Sequence, residues 1–353
     1  MFTGTARLLF RLRRPVTDVT GCPLDTHLRQ TLPSASSLLE QPRMLSIQGL
    51  VKIHPGPVAA LRGVDLAIGE GLFGLLGPNG AGKSTFMQVV AGLIEPTAGR
   101  VLLDGHDIVQ DPRYVHQRLG YLPQDFGFHP DLSGLAMLEL LLKLKGITGP
   151  SGRRALALEL LDRVNLAPAA KRRVAGYSGG MRQRLGLAQA IAGDPRVLIV
   201  DEPTAGLDPE ERHRFYRLLA EMGSQRIVIL STHIVEDVAT LCPRMAVIRG
   251  GEVVADTTPR AAREAIANSI YEGLVTPGDM PAFAGQWRVL SSVLTEGTTN
   301  RVRISLPAGD PPPGFHPVQP GLEDAYLVLM RTPTREVPAA LRGTGVALAG
   351  GAA

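Results

Sequence analysis

Regular alternation of apolar and polar residues begins near Met44. Apolar side chains recur at every second or third position over residues 45–53 and 64–68, which predicts half-buried strands. Other short segments are apolar throughout, as is typical of strands covered on both faces of a sheet. These buried-strand segments are Leu72–Leu76, Val197–Val200 and Ile227–Leu230.

Helical periodicity separates these strands. Apolar residues recur there at intervals of three or four, which predicts amphipathic helices. The helical segments are Phe86–Leu93, Leu135–Leu142, Leu185–Ala192 and Phe215–Leu219. Strands that alternate with helices predict an α/β fold with a largely parallel sheet.

The pattern also divides the chain into parts. The Gly250-Gly251 pair lies between two apolar runs and predicts a hairpin that closes a principal domain over residues 44–258. Residues 259–332 are predicted to form a small accessory domain, with a helix from Arg260 to Ile270 and strands after it. The Ala- and Gly-rich residues 333–353 are predicted to be a disordered tail.

The first 43 residues are basic and show no sustained period, so they are interpreted as a flexible extension. They carry six Arg against three acidic residues, which accounts for +3 of the net charge of +4. Two interpretations stay open: a basic membrane-surface anchor, or an extension ahead of a true start at Met44. The principal domain is nearly neutral, which gives no support to a nucleic-acid partner.

A glycine-rich loop between a predicted strand and a predicted helix carries the strongest chemical signal. Its glycines let backbone N–H groups approach phosphate oxygens. Lys83 can then reach the β and γ phosphates, and the Ser84 hydroxyl can coordinate Mg²⁺. The loop fits the pattern G-x-x-x-x-G-K-[ST] with Gly77, Pro78, Asn79, Gly80, Ala81, Gly82, Lys83, Ser84 and Thr85.

Two carboxylates follow the apolar run Val197–Val200. Because carboxylates at the carboxyl end of a parallel strand face the ligand crevice, Asp201 is predicted to hold Mg²⁺. Glu202 is predicted to accept a hydrogen bond from the water that attacks the γ-phosphate. Asp208, followed by proline and two glutamates, is predicted to be the N-cap of a helix.

A second anion-binding turn makes the prediction specific. Ser178, Gly179 and Gly180 precede a predicted helix, so a serine N-cap and exposed N–H groups lie at its start. With Tyr177 and Met181 on either side, this segment resembles the Leu-Ser-Gly-Gly-Gln signature of the ATP-binding subunits of ABC transporters, from which it departs at those two positions.

This resemblance implies roles for further residues. In the family, the signature serine and glycines of one copy close on the ATP held by the lysine of a second copy. Gln124 corresponds to the glutamine that contacts Mg²⁺ or water, Asp208 lies in the loop that crosses to the partner's site, and His233 resembles the switch histidine that orients water. His54 lies where the family has an adenine-stacking tyrosine, and the alternative of a simple turn histidine stays open.

The resemblance covers about residues 44–258. It implies a P-loop core with a mainly parallel sheet, an antiparallel β subdomain and a helical subdomain, followed by a small C-terminal α+β extension. In that extension, residues 321–326 resemble the closing helix of exporter-type ATPases. The implied protein hydrolyses ATP, forms a head-to-tail dimer with a second copy, and powers a separate integral-membrane permease that docks on residues 124–145.

The implied location is the cytoplasmic face of a bacterial plasma membrane, and export is the implied direction. Two alternatives from other classes are a soluble ABC-type ATPase of DNA repair or translation, and a regulatory subunit that binds ATP without turnover. The first usually has two cassettes or a coiled-coil insertion, which this chain lacks, whereas Glu202 and His233 argue against the second.

Overall fold

The computed structural model describes residues 44–56, 58–124, 126–204, 206–295, 297–338 and 341–342. Both interpretations of residues 1–43 concern residues outside these ranges, as does most of the predicted tail. The strands of the described residues are β1 (Leu45–His54), β2 (Val58–Ile68), β3 (Gly71–Leu76), β4 (Ala98–Leu103), β5 (His106–Asp107), β6 (Leu119–Leu122), β7 (Val197–Asp201), β8 (Ile227–Thr232), β9 (Arg244–Arg249), β10 (Glu252–Thr257), β11 (Ile270–Val275), β12 (Val289–Leu294), β13 (Asn300–Ser305) and β14 (His316–Pro317).

Helices connect these strands in the order that the sequence pattern predicts. The α-helices of the described residues are α1 (Lys83–Val90), α2 (Pro112–His116), α3 (Gly134–Leu144), α4 (Arg153–Arg163), α5 (Gly179–Ala190), α6 (Pro209–Met222), α7 (Val235–Leu241), α8 (Pro259–Glu264), α9 (Met280–Gln286) and α10 (Leu322–Arg331). Short 3-10 turns cover Ala167–Ala169, Val174–Gly176 and Thr334–Glu336.

A mainly parallel sheet of order β10-β9-β3-β8-β7-β6 positions the site. Only β10 runs antiparallel to its neighbour. In β7, Leu198 and Val200 pack into one hydrophobic cluster, whereas Val197 and Ile199 pack into another on the opposite face. The prediction of strands covered on both faces is therefore confirmed.

Two other layers cover this sheet. An antiparallel sheet of order β2-β1-β4-β5 packs with α1 against one face of it. The helices α3, α4 and α5 pack together around leucines that join the cluster on the other face. The predicted α/β fold class, with a P-loop core, an antiparallel β subdomain and a helical subdomain, is confirmed.

The C-terminal part is an antiparallel sheet of order β12-β13-β11-β14 with α10 packed against α7 and α8. The predicted helix from Arg260 to Ile270 is wrong in its second half. It ends at Glu264, because the chain turns through Asn268 with a left-handed φ of +67°, and Ile270 begins β11.

Packed structure also continues beyond residue 332, where the sequence pattern places the start of the tail. Val337 and Leu341 are buried in the same hydrophobic cluster as Leu329 of α10. This part of the chain therefore packs into the same core as the C-terminal helix. Residues 343–353 of the predicted tail lie outside the described ranges.

Arg249, the last residue of β9, joins the C-terminal helix to the central sheet. Its guanidinium donates hydrogen bonds to the carbonyl oxygens of Leu329, Met330 and Thr332 at 3.0, 2.8 and 2.8 Å, and to the Thr334 hydroxyl at 3.1 Å. A cation at the carboxyl end of a helix satisfies carbonyls that have no partner within the helix. The charged donor makes each of these hydrogen bonds stronger than a neutral one.

We therefore expect Arg249→Ala to release α10 from the core. Leaving half-buried carbonyls without donors should lower the free energy of unfolding by about 2–3 kcal/mol. The measurement is the urea unfolding midpoint together with hydrogen exchange of the α10 amides. Arg260→Ala is the matched control, since among the residues that the structure describes the exposed Arg260 pairs only with Glu264 in its own helix. Equal midpoints for the two variants would contradict this role of Arg249.

Candidate active site

The glycine-rich loop connects the end of β3 to the start of α1. Gly80 and Gly82 have φ angles of +78° and +106°, which favour glycine. A Cβ on Gly82 would lie 2.5 Å from the carbonyl oxygen of Ala60, and one on Gly77 would lie 2.5 Å from that of Ile248. Two of these glycines are therefore required by close packing against β2 and β9, in addition to the phosphate access inferred from the sequence.

Lys83 lies at the first position of α1, where its buried side chain crosses beneath the loop. Its ammonium donates hydrogen bonds to the carbonyl oxygens of Gly77 at 2.7 Å and Pro78 at 3.2 Å. The same nitrogen lies 3.4 Å from a carboxylate oxygen of Glu202. The lysine of the phosphate loop is thus placed against the carboxylate that follows β7, as a buried charge requires.

Glu202 and His233 come together although 31 positions separate them in sequence. Nδ1 of His233 and Oε2 of Glu202 form a hydrogen bond. Glu202 has a φ of +48°, a left-handed conformation that is uncommon outside glycine, and its backbone N–H donates to the Ser231 carbonyl at 2.9 Å. Glu202 is buried and His233 is about half exposed, so the pair lies at the border between core and solvent.

Asp201, the last residue of β7, is buried. Burial raises the pKa of Asp201, while the hydroxyls of Ser231 and Ser84 and the charge of Lys83 oppose this rise. Its Oδ1 oxygen has no hydrogen bond of normal geometry within the described residues. A buried carboxylate oxygen without a partner, beside a serine hydroxyl, is a donor set that fits a hard cation such as Mg²⁺.

Protein ligands alone do not form a metal cage here. Within the described ranges, no group of three or more His, Cys, Asp or Glu side chains could hold a metal ion. Mg²⁺ in nucleotide sites needs only one or two protein oxygens, since it keeps several waters and binds substrate phosphates. Ser84 and Asp201 have side-chain oxygens of the kind that this mode of binding uses.

The second predicted turn lies at the start of α5. Ser178 caps α5 and accepts a hydrogen bond from Met181 N at 3.1 Å, and Asp208 caps α6 by accepting one from Glu211 N at 2.8 Å. Both predicted N-caps are confirmed. Within the part of the chain that the structure describes, no hydrogen bond or ion pair joins Ser178 to Lys83.

Gln124 follows a strand of the central sheet, whereas His54 belongs to the antiparallel sheet. Gln124 is exposed just after β6. His54 ends β1, is half-buried, and its Nε2 lies 3.3 Å from the Thr85 hydroxyl on α1. The structure thus places His54 beside the phosphate loop, although the sequence offered a turn histidine as an equal alternative.

Comparison with known proteins assigns these features to one family. Residues 61–205 match the ABC transporter family. The chain is also 34% identical over 296 residues to the daunorubicin resistance ATP-binding protein DrrA3 of Streptomyces coeruleorubidus, an alignment that covers 82% of this chain and 92% of that protein. The chain belongs to the family of ABC transporter ATP-binding proteins.

Two further relatives extend this result. The chain is 36% identical over 232 residues to the daunorubicin/doxorubicin resistance ATP-binding protein DrrA of Streptomyces peucetius. That alignment covers 65% of this chain and 69% of the relative. A solved ATP-binding cassette, a dimer in a post-hydrolysis state bound to ADP and Pi, matches with a TM-score of 0.55 and 28% identity. That match covers 61% of this chain and 98% of the cassette.

As a member of this ABC transporter family, the chain is an ATPase. The predictions of an ATP-binding, ATP-hydrolysing transporter subunit are confirmed. None of the helices in the described ranges is long and apolar enough to span a membrane.

Packing explains both departures from the usual ABC transporter signature. The Tyr177 side chain is buried, and its hydroxyl donates to the Ala169 carbonyl at 2.9 Å. A Cβ on Gly134 would lie 2.0 Å from that hydroxyl, so a glycine at the start of α3 leaves room for it. Met181 is partly buried against the same hydrophobic cluster. The two residues fasten the signature turn to the helical subdomain.

Sequence reasoning missed one ion pair of this ABC-type site. The buried Arg184 of α5 lies 3.3 Å from Glu211 of α6, and it also donates to the carbonyl oxygens of Val164 at 3.3 Å and Asn165 at 3.0 Å. A Cβ on Gly180 would lie 2.5 Å from Oε2 of Glu211. The pair therefore links the signature turn to α6. Charged residues on helices ordinarily indicate a solvated face, so no local signal distinguishes this pair.

Proposed function

We propose that two copies of this chain assemble head to tail and trap ATP, so that the Lys83 loop of one copy faces the Ser178 turn of the other. Within the described residues of one copy, no hydrogen bond or ion pair joins Ser178 to Lys83, and this observation carries the proposal that a second copy supplies the turn that completes each site. The dimeric state of the solved cassette with ADP and Pi supports it. Gly179 and Gly180 would add backbone N–H groups to the γ-phosphate, and Asp208 would lie at the dimer border.

Glu202 is the proposed general base of ATP hydrolysis. It accepts a hydrogen bond from the attacking water, and His233, which is hydrogen-bonded to Glu202, orients that water. Lys83 moves from its loop carbonyls to the phosphates when nucleotide binds, and this frees the Glu202 carboxylate from its ion pair. Glu202 is thus free to accept a proton only when nucleotide is bound and Lys83 has left it.

Mg²⁺ is the proposed metal, held by the Ser84 hydroxyl, the Asp201 carboxylate and the Gln124 side-chain oxygen. The buried Oδ1 of Asp201, which has no partner among the described residues, supports this assignment. When bound, the ion stabilises the negative charge that develops on the phosphates. The His54 ring, placed beside Thr85, would stack on the adenine.

An integral-membrane permease is the proposed partner, and the cytoplasmic face of a bacterial plasma membrane is the proposed location. The names of the relatives, which are ATP-binding proteins of drug resistance, support export as the direction. Leu140 and Leu144 lie one turn apart on α3 and are exposed, which supports docking on residues 124–145. A soluble role in DNA repair or translation has no such support.

Glu202→Gln is expected to retain ATP, to hydrolyse it at least about 100-fold more slowly, and to accumulate as a nucleotide-bound dimer. The amide keeps the shape of the side chain but cannot accept a proton. The measurements are steady-state phosphate release and light scattering with and without ATP. Lys83→Ala is the control, since it should weaken ATP binding itself and form no dimer. Unchanged turnover in Glu202→Gln would reject Glu202 as the base.

The Mg²⁺ assignment predicts a pH dependence. Because the buried Asp201 has a raised pKa, acidification protonates it and removes the anionic ligand. The Mg²⁺ concentration for half-maximal ATP binding should therefore increase as the pH falls, beyond the increase measured for free ATP. Asp201→Asn should need about tenfold more Mg²⁺ and lose this additional dependence. Identical pH profiles for the two proteins would contradict the assignment.

Permease docking on α3 predicts that Leu144→Glu weakens the complex and leaves the ATP turnover of the isolated subunit intact. A charge on the docking surface would have to be desolvated in the complex. The measurement is co-purification with the membrane protein of the neighbouring gene. Leu294→Glu is the matched control, because Leu294 of β12 is 66% exposed and Leu144 is 75% exposed. If both variants lose co-purification equally, or if neither loses it, the docking surface lies elsewhere.

A further inference from the structure

Asp237 is a fully buried carboxylate of α7, four positions after His233, and it has no role in the site described above. No cation forms an ion pair with it within the described ranges. Burying a carboxylate without a cation is costly unless hydrogen-bond donors replace the water. The hydrogen-bond donors around Asp237 therefore indicate which segments of the chain this carboxylate holds together.

Hydroxyls supply these donors, and each comes from a different segment. Thr204 donates to Oδ2 of Asp237 at 2.5 Å, Thr232 donates to the same oxygen at 3.1 Å, and the Tyr216 hydroxyl donates to Oδ1. All three side chains are buried. Burial, and then the hydrogen bond to Asp237, raise the pKa of Tyr216, so its hydroxyl stays a donor. The carboxylate thus joins the loop after β7, the end of β8 and α6.

Both residues proposed to act on the water lie next to these donors. Thr232 directly precedes His233, and the Thr232 hydroxyl also accepts a hydrogen bond from the backbone N–H of Ile234 at 2.9 Å. The backbone on either side of His233 is therefore fixed through one hydroxyl. Thr204 lies two positions after Glu202, so the same carboxylate also holds the loop that carries the base.

The conformation of Glu202 needs such an anchor. Its φ of +48° is unfavourable for a residue with a side chain, and it persists only where the surrounding structure holds it. On the upstream side, the Glu202 N–H donates to the Ser231 carbonyl. On the downstream side, the Thr204 hydroxyl anchors the loop by its hydrogen bond to Asp237.

We propose that Asp237 is a positioning residue for ATP hydrolysis, which holds Glu202 and His233 in the relative position that lets both act on one water. In this role Asp237 acts through its hydrogen bonds with Thr204 and Thr232. This inference rests on the proposed roles of Glu202 and His233. A displacement of either group by about 1 Å is enough to lower turnover about 100-fold.

Thr204→Val is the test, in the full-length chain, because it removes the donor and keeps the shape of the side chain. We expect kcat to fall about 10- to 100-fold, with KM and the ATP dissociation constant changed less than about threefold. Thr204→Ser, which keeps the hydroxyl, should recover most of kcat. Thr240→Val is the matched control on α7, since within the described ranges its hydroxyl has one hydrogen bond, an exposed one with Glu236 at 3.5 Å.

A double-variant cycle separates positioning from a general loss of structure. In a Glu202→Gln background, Thr204→Val should cause no further loss of residual turnover, because the group that it positions is already gone. A purely structural role would lower turnover in both backgrounds by the same factor. Tyr216→Phe, which removes a donor from the other oxygen with little change in volume, gives a second measure if Thr204→Val folds poorly.

The outcomes are distinguishable from a failure of the proposed function. Unchanged kcat in both Thr204→Val and Tyr216→Phe, additive losses in the cycle, or equal losses for the Ser and Val variants would overturn the role of Asp237. If Glu202→Gln alone leaves turnover unchanged, the assignment of the base fails first. If Glu202→Gln is inactive and both Thr204→Val and Tyr216→Phe are fully active, only the inference about Asp237 fails.

Discussion

Parallel hydrogen bonding of β3, β8 and β7 is the constraint on which the site depends. The register pairs Leu76 with Thr232 and Asp201 with Ser231, so that the strands end at the same level of the sheet. The chain that leaves each strand therefore carries its reactive groups to one edge. Because parallel strands need long crossover connections, these groups come from segments far apart in the sequence.

Three buried carboxylates near this edge are stabilised in different ways, and the differences indicate their functions. Glu202 has an ammonium and an imidazole beside it, and Asp237 accepts hydrogen bonds from neutral hydroxyls. Asp201 alone among these three has a buried oxygen without a partner in the described residues. An incompletely satisfied carboxylate is suited to a cation, whereas a fully satisfied one fixes the structure around it.

The β9–β10 hairpin gives the C-terminal part a physical connection to the nucleotide side. At its turn, the Gly251 N–H donates to the Ala81 carbonyl of the phosphate loop at 2.9 Å. At the end of β9, Arg249 binds the carboxyl end of α10. The phosphate loop and the C-terminal helix therefore contact the same short hairpin. The accessory part is thus held by a few strong hydrogen bonds as well as by apolar packing.

The buried strands, the phosphate loop and the N-caps at Ser178 and Asp208 could all be predicted from the sequence, because each depends on residues within a turn or two of chain. The meeting of distant groups, such as Glu202 with His233, could not be predicted and is visible only in the folded chain. Those pairs depend on sheet register and helix packing, for which neighbouring residues give no signal. The end of α8 at Glu264 was missed for a related reason, since apolar spacing continues through a turn that one left-handed residue, Asn268, decides.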